Sequence, residues 1–330
     1  MMLPLRPGDK IGIFTPSSPA TVTARTRFER AKSFLESKGF IIIEGMLTGK
    51  AESYRSGSPK ARAEELNELL RNPDIKMIMA TIGGSNSNSL LPYIDYDAFY
   101  NHPKFVVGYS DTTAILLALY HKTNITTYYG PALIPSFGEW APLVHDTWSH
   151  FENYFMSAPS LPYEIPMPPY WSDEPVNWLD KTTTKTLYPN EWTARNPHAV
   201  EGRLIGGNVN AMYGCIGTDY FPTIHHGDIL LIEDSAKDAA IVEKNFAMLK
   251  MHGIFEKVSG IILGKHERYD DLGTGNKPID LLLEQLDGKN IPILADFDTS
   301  HTHPMHPLAI GKQVALNTRA KTVYCTEDWL

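Results

Sequence analysis

Short apolar runs alternate with amphipathic stretches along the first 130 residues. KIGIF, at 10–14, reads as a buried strand; after a polar turn, Thr21 to Lys38 places Phe28, Ala31, Phe34 and Leu35 on one helical face, and Gly39 stops the segment. The pattern repeats with FIIIEG, a helix entered at Ser58 and Pro59 that carries Leu66, Leu69 and Leu70, the strand KMIMATI, a helix-like SLLPYIDYDAF, the strand KFVVGY, the helix TTAILLALYH and the strand ITTYYG. Strands that alternate with helices in this way predict a parallel sheet covered on both faces.

Between about Pro131 and Pro197 the periodicity fades, prolines multiply, and five of the six tryptophans appear: Trp140, Trp148, Trp171, Trp178 and Trp192. Linkers rarely carry so many large aromatics, so this stretch reads as a connecting region with a job of its own. From Val200 regular signals return: VEGRLIGGNVNAMYG, the strand DILLIED, a helix around Ile241 to Met251, the strand VSGIILGKHE, a helix around Ile279 to Leu286, and short strands near Pro292 and Val314. The expected organisation is an α/β nucleophile domain over 1–165, an interdomain loop over 166–198 and a second α/β domain over 199–330. A length of 330 residues fits two cores better than one.

Composition narrows the function classes. A formal charge of -8 leaves no excess of Lys and Arg to displace counterions from a nucleic-acid backbone, which disfavours that partner. Two cysteines far apart, Cys215 and Cys325, supply neither a disulfide framework nor a CxxC pair, in keeping with a reducing compartment. MMLPLRPGDKIGIF has neither the pattern of a signal peptide nor the length of a membrane span. The expectation is a cytoplasmic protein with a small-molecule partner, not a nucleic acid or a membrane.

Four places carry candidate chemistry. In KFVVGYSDTTAILLALYH, Ser110 sits where an apolar strand meets a helix, at the strand end where ligands bind in parallel sheets, with the helix's free N–H groups behind it. Ser110 or Asp111 is equally suited to cap that helix, and Thr112 stands where a GxSxG elbow has its second glycine. In TIGGSNSNS, Gly84 follows a strand and can bring a backbone N–H against a ligand, or simply make a turn; no Walker-type lysine follows. Glu233 and Asp234 close the strand DILLIED, where an acid faces a cleft or serves the helix that follows. His301, His303 and His306 crowd a turn with Pro304 and Pro307; one of them suits a general base, and the group as a whole is a metal alternative short of acidic ligands.

Taken together, GYSDTTA, TIGGSNSNSLLPYIDYDAF, EGRLIGGNVNA, LLIEDS, GKHE and SHTHPMHPLAIG resemble, in order and over nearly the whole chain, the LD-carboxypeptidase family of serine peptidases, and within it the microcin-C immunity branch of MccF-type peptidases. The resemblance implies a flavodoxin-like or class I glutaminase-like N-terminal domain, a smaller swivelling-type C-terminal α/β domain, a homodimer, and catalysis without cofactor or metal. It implies Ser110 as nucleophile, Glu233 as the acid orienting the base and His301 as the base, leaving His303 and His306 as bystanders. It places the oxyanion hole at the N–H groups of Gly84 and Asp111, the aminoacyl contact at Asn210, and the far end of the substrate at Glu267. Trp178, in VNWLDK, matches a tryptophan that stacks on a nucleobase, although packing the loop onto the body is its plain alternative. The implied reaction is hydrolysis of the bond joining an amino acid to a nucleotide-like group, with trimming of murein tetrapeptides as the rival. One departure is Ser300, where the family usually has the glycine before its histidine.

Overall fold

The computed structural model of the chain describes residues 2–157, 160–178 and 184–330. Five strands form the parallel part of a first sheet, in the order Ile41–Glu44, Lys10–Phe14, Ile75–Ala80, Phe105–Gly108, Thr127–Tyr129. Second-first-third-fourth-fifth is the doubly wound, flavodoxin-like arrangement, with its crevice where the first and third strands diverge. The central strands bury Ile11, Ile13, Met77, Ile78, Met79, Val106 and Val107 on both faces, which is why their sequences are continuous apolar runs rather than alternating ones. Helices Arg25–Ser37, Pro59–Arg71 and Thr113–Thr123 cover them, the second capped by Ser58, whose hydroxyl accepts from the Ala61 N–H.

Three elements depart from the sequence reading. The segment from Thr21 to Lys38 is two helices, Ala20–Thr23 and Arg25–Ser37, broken at Ala24. SLLPYIDYDAF is a 3-10 segment, Ser87–Tyr93, followed by the helix Tyr96–Asn101: Pro92 has no N–H to continue the ladder, and the Asp95 carboxylate starts afresh by capping Ala98. The region of fading periodicity holds a full helix, Leu143–Phe155, that buries Leu143, Val144, Thr147, Trp148, Phe151, Tyr154 and Phe155 along one face.

A second sheet has the order Tyr163–Glu164, Thr322–Cys325, Gln313–Asn317, Ala199–Asn208, Ile229–Glu233, Gly260–Gly264, Ile293–Phe297, Thr193–Arg195, and the four strands from Ala199–Asn208 to Ile293–Phe297 pair in parallel. Helices Ala239–Met251 and Pro278–Leu286 connect its parallel strands. Two edge strands come from the connecting region, Tyr163–Glu164 and Thr193–Arg195, and Leu308–Ile310 crosses back to pair antiparallel with Thr127–Tyr129 of the first sheet. Chain exchange at both ends thus stitches the two sheets together. Of the expected interdomain loop, 179–183 lie outside the described residues. No helix among the described residues is long and apolar enough to cross a membrane.

Candidate active site

The strand Phe105–Gly108 ends at Tyr109, and Ser110 follows with φ of 60°, a left-handed backbone that a β-substituted residue adopts only when its surroundings hold it there. Neither helix start behind it uses a side-chain cap, so the Ser110 hydroxyl is not spent on capping. Asp111 is a cap, but of another element: its carboxylate accepts from the N–H groups of Asn86 (2.8 Å) and Ser87 (2.9 Å), at the start of Ser87–Tyr93. It therefore clamps the glycine loop to the Ser110 turn. From below, Arg62 holds the same loop through the Asn86 side chain and the Pro16 carbonyl, and the Ser17 hydroxyl accepts from Ser85 N–H and Asn86 N–H.

Glycine is required in that loop for space. A β-carbon on Gly83 would lie 2.8 Å from Ser110 Cβ and 2.9 Å from Ser110 Oγ, and one on Gly84 would lie 2.2 Å from Ser17 Oγ. Backbone thus packs directly against the Ser110 side chain and the Asp111 N–H, where an oxyanion would need its donors.

The second sheet brings the acid and the base. Glu233 ends its strand fully buried and shares Oε2 with His301 Nδ1 at 2.7 Å. Its other oxygen accepts from Tyr129 Oη (2.5 Å) and Asn208 Nδ2 (2.9 Å). Burial pushes the Glu233 carboxyl up, but His301 and these donors outweigh it and hold the group below the usual carboxylate range. Burial likewise disfavours a charged His301, and Glu233 outweighs it, so the imidazole is more basic than an ordinary histidine. With Nδ1 facing Glu233, Nε2 is the nitrogen left for a substrate or nucleophile. Tyr109 packs edge-on against the ring at 4.8 Å between centroids. Ser300 needs no left-handed backbone, and its hydroxyl meets Thr302, so the missing glycine is accommodated.

The remaining histidines diverge. His303 lies 3.7 Å from Glu139, and His306 packs on His150 with ring centroids 3.5 Å apart. Among the described residues no group of three or more His, Cys, Asp or Glu is placed to hold a metal ion.

Two lobes meet at Gly84, Ser110, Ser235, Ala236 and His301. The wider, 470 Å³, carries Trp178, Arg27, Lys185, Glu267 and His303. Trp178 lies over the Arg27 guanidinium at 4.5 Å, and Arg27 and Lys185 both pair with the buried Glu139. The narrower lobe, 270 Å³, is polar and carries Asn210, Asn88, Asp111, Asn208 and Lys237. Every site residue expected from sequence thus borders one lobe or lies behind it, as Glu233 does. Tyr129, Asn208 and Lys237 were not anticipated. The first hides as an aromatic in the strand ITTYYG; the other two carried a signal, GGNVN and EDSAK beside motifs already singled out.

A doubly wound sheet joined to a second α/β sheet, with Ser110 from the first and the Glu233–His301 pair from the second brought to one cleft, is a two-sheet α/β architecture that fits a hydrolase. The chain belongs to the LD-carboxypeptidase family of serine peptidases: the models of the family's N-terminal and C-terminal domains match residues 11–130 and 201–316. It is 51% identical to the microcin C7 self-immunity protein MccF of Escherichia coli, over 99% of this chain and 96% of that one. It is 50% identical to a putative carboxypeptidase of Vibrio cholerae, over 98% and 96%. The solved structure of MccF in complex with aspartyl sulfamoyl adenosine superposes with a TM-score of 0.98 at 51% identity, covering 100% of this chain and 99% of that one. Another MccF structure is an active-site mutant in which a serine, an asparagine and a lysine are replaced by alanine.

Proposed function

We propose that the protein is a serine peptidase that hydrolyses the bond between an amino acid and a nucleotide-like group, with Ser110, His301 and Glu233 as its triad. The observation that carries the reading is the pair of unlike lobes meeting at Ser110 and His301, one aromatic and cationic around Trp178, the other small and polar around Asn210 and Lys237. Such a cleft suits a ligand with a planar group on one side of the scissile bond and a short polar acyl group on the other, which is the make-up of the aspartyl sulfamoyl adenosine bound by MccF. Asn210 and Lys237 would receive the aminoacyl part, Trp178 would stack on the base, and Glu267 would meet the far end of the leaving group.

In this mechanism Ser110 Oγ attacks the carbonyl carbon as its proton passes to His301 Nε2. The tetrahedral oxyanion takes hydrogen bonds from the N–H groups of Gly84 and Asp111. The carbonyl carbon–nitrogen bond breaks as His301 returns the proton to the leaving nitrogen. Water, deprotonated by His301, then cleaves the acyl ester and regenerates Ser110. Glu233 holds the imidazole in the Nδ1–H tautomer and stabilises the imidazolium. Family resemblance adds a cytoplasmic homodimer that protects its cell from aminoacyl-nucleotide antibiotics.

The match to the LD-carboxypeptidase domain models sustains a second reading, release of the terminal D-amino acid from murein tetrapeptides by the same triad. Turnover of an aminoacyl sulfamoyl adenosine and of a murein tetrapeptide, measured side by side, separates the two. Ser110→Ala should abolish both. Trp178→Ala should lower kcat/KM for the adenosine compound by roughly 10-fold or more, as the loss of a base–aromatic stack would, and leave the peptide nearly unaffected. A tetrapeptide rate far above the adenosine rate decides for the second reading.

A further inference from the structure

A closed circuit of hydrogen bonds runs through the peptide of Ser110 and across the domain interface. The Ser110 N–H donates to Tyr129 Oη (3.2 Å), and that hydroxyl donates to Glu233 Oε1 (2.5 Å). The same carboxylate oxygen accepts from Asn208 Nδ2 (2.9 Å), while the Asn208 N–H donates to Thr113 Oγ1 (3.0 Å). Thr113 Oγ1 closes the loop by donating to the Ser110 carbonyl oxygen at 2.6 Å.

Each hydroxyl spends its one proton and accepts one, so donor and acceptor roles around the ring are determined. Tyr129 and Thr113 belong to the first domain, Asn208 and Glu233 to the second. All four are buried at 5% exposure or less, so water does not compete for these bonds. Gly207, next to Asn208, lets the domains approach this closely: a β-carbon there would lie 2.8 Å from Thr113 Cγ2 and 2.9 Å from Tyr129 Cε2. Both polar groups of the left-handed Ser110 peptide are therefore tied, each through one hydroxyl, to the residues that orient His301.

We propose that Tyr129 and Thr113 are positioning residues whose hydroxyls hold the Ser110 peptide in its strained conformation and in register with Glu233 of the other domain. This rests on the reading of Ser110, His301 and Glu233 as the triad. Ser110 and His301 are carried by separate domains, and the ring ties the Ser110 backbone by hydrogen bonds to the carboxylate that holds His301. A misplacement of about 1 Å is enough to cost on the order of 100-fold in rate.

The ring also tunes the pair it supports. Tyr129 donates to the anionic Glu233; removing that donor raises the proton affinity of the Glu233–His301 pair, so the acid limb of kcat/KM moves to higher pH.

The test is a set of variants assayed on an aminoacyl sulfamoyl adenosine: Thr113→Val, Thr113→Ser, Tyr129→Phe and Ser110→Ala. Thr113→Val should lower kcat about 10-fold or more with KM little changed, and Thr113→Ser, which restores the hydroxyl, should recover it. Tyr129→Phe removes one oxygen from the core; it should lower kcat and shift the acid limb upward, a change that loss of packing does not produce. Wild-type kcat in Thr113→Val together with an unmoved acid limb in Tyr129→Phe, each made in the otherwise unaltered protein and with Ser110→Ala alone inactive, overturns the proposal while leaving the triad intact. If Thr113→Val does not fold, the Tyr129→Phe limb alone decides. A Ser110→Ala protein that still turns over substrate removes the triad itself, and the ring's role with it.

Discussion

A methyl group at residue 83 would collide with the side chain of the serine it faces, Ser110 Cβ at 2.8 Å and Oγ at 2.9 Å, and would press on the Asp111 N–H nitrogen at 3.2 Å. The neighbours are backbone and a residue already held in a left-handed conformation, so they cannot rotate out of the way. Gly83→Ala should therefore keep the fold, because the site is at the edge of a loop, and lower kcat by about 100-fold, the scale of losing an oxyanion donor. Steady-state kinetics alongside the melting temperature check it, and a variant with wild-type kcat would show that the loop has room to yield. At this scale the sequence was partly legible. Ser110, Glu233 and His301 stand at strand ends in short polar motifs, where chemistry is expected. Tyr129 does not announce itself, because its importance lies in which residue of the other domain it meets, and a contact 104 residues away, as with Glu233, leaves no local pattern.

The elements matter through their junctions. Asp111 reads from sequence as a charge at the start of its own helix; in the fold it caps the next one over, accepting from Asn86 and Ser87 and so fixing the glycine loop against the Ser110 turn. Asp111→Ala would leave the Ser87 N–H without its acceptor and the Asn86 N–H with only the longer bond to Ser17 Oγ at 3.3 Å, a loss of about 1–2 kcal/mol on the scale of a helix cap. Because the loop carries Gly84, kcat should fall further than stability alone explains, by roughly 10-fold or more. Hydrogen exchange at 85–87 should quicken in the same variant, and unchanged exchange would detach the cap from the loop. Strand and helix alternation was legible because the parallel sheet demands apolar runs on both faces. Helix Leu143–Phe155 was missed although its buried positions keep helical spacing, because tryptophans and flanking prolines drew the whole stretch into one irregular region. Leu308–Ile310 was missed for a different reason: three residues that leave one sheet to complete another carry no sign of which partner they will find.

For the molecule as a whole, the histidine turn sets a response to acid. His303 and His306 are buried at 5% and 2% exposure. Burial holds His303 neutral, with Lys185 and Arg27 reinforcing it against the opposing Glu139, and pushes its pKa well below the ordinary value. Burial does the same to His306, bringing it down to about 3 despite a hydrogen bond to the Pro166 carbonyl, and Lys265 adds to the effect. In the unfolded chain both rings take up a proton near pH 6.5, so below that pH the unfolded state binds more protons and stability rises with pH. The contribution is complete above about pH 6.5 and is lost as pH falls toward the folded values. Glu139, held below the usual carboxylate range because the charges of Arg27 and Lys185 outweigh its burial, adds a loss of the same sign once pH drops below about 4.5. His301 acts oppositely: its raised pKa contributes stability below its unfolded value that disappears as pH rises through the folded one. His150, stacked on His306 and brought down to about 2 by burial, and His266, also lowered by burial, act in the same sense as His303 and His306, so these rings outweigh His301 and leave a net loss on acidification. His303 and His306 each contribute about 1.4 kcal/mol per pH unit well below pH 6.5. Urea unfolding between pH 6.5 and 4.5 should therefore show stability falling with pH, and His306→Gln should make the fall shallower by about 1.4 kcal/mol per pH unit whatever it does to stability at neutral pH. The slope, not the midpoint, is the readout. A His306→Gln slope equal to that of the parent would mean the ring takes up its proton in the folded state as readily as in the unfolded one, and that the turn opens to water before the domains part.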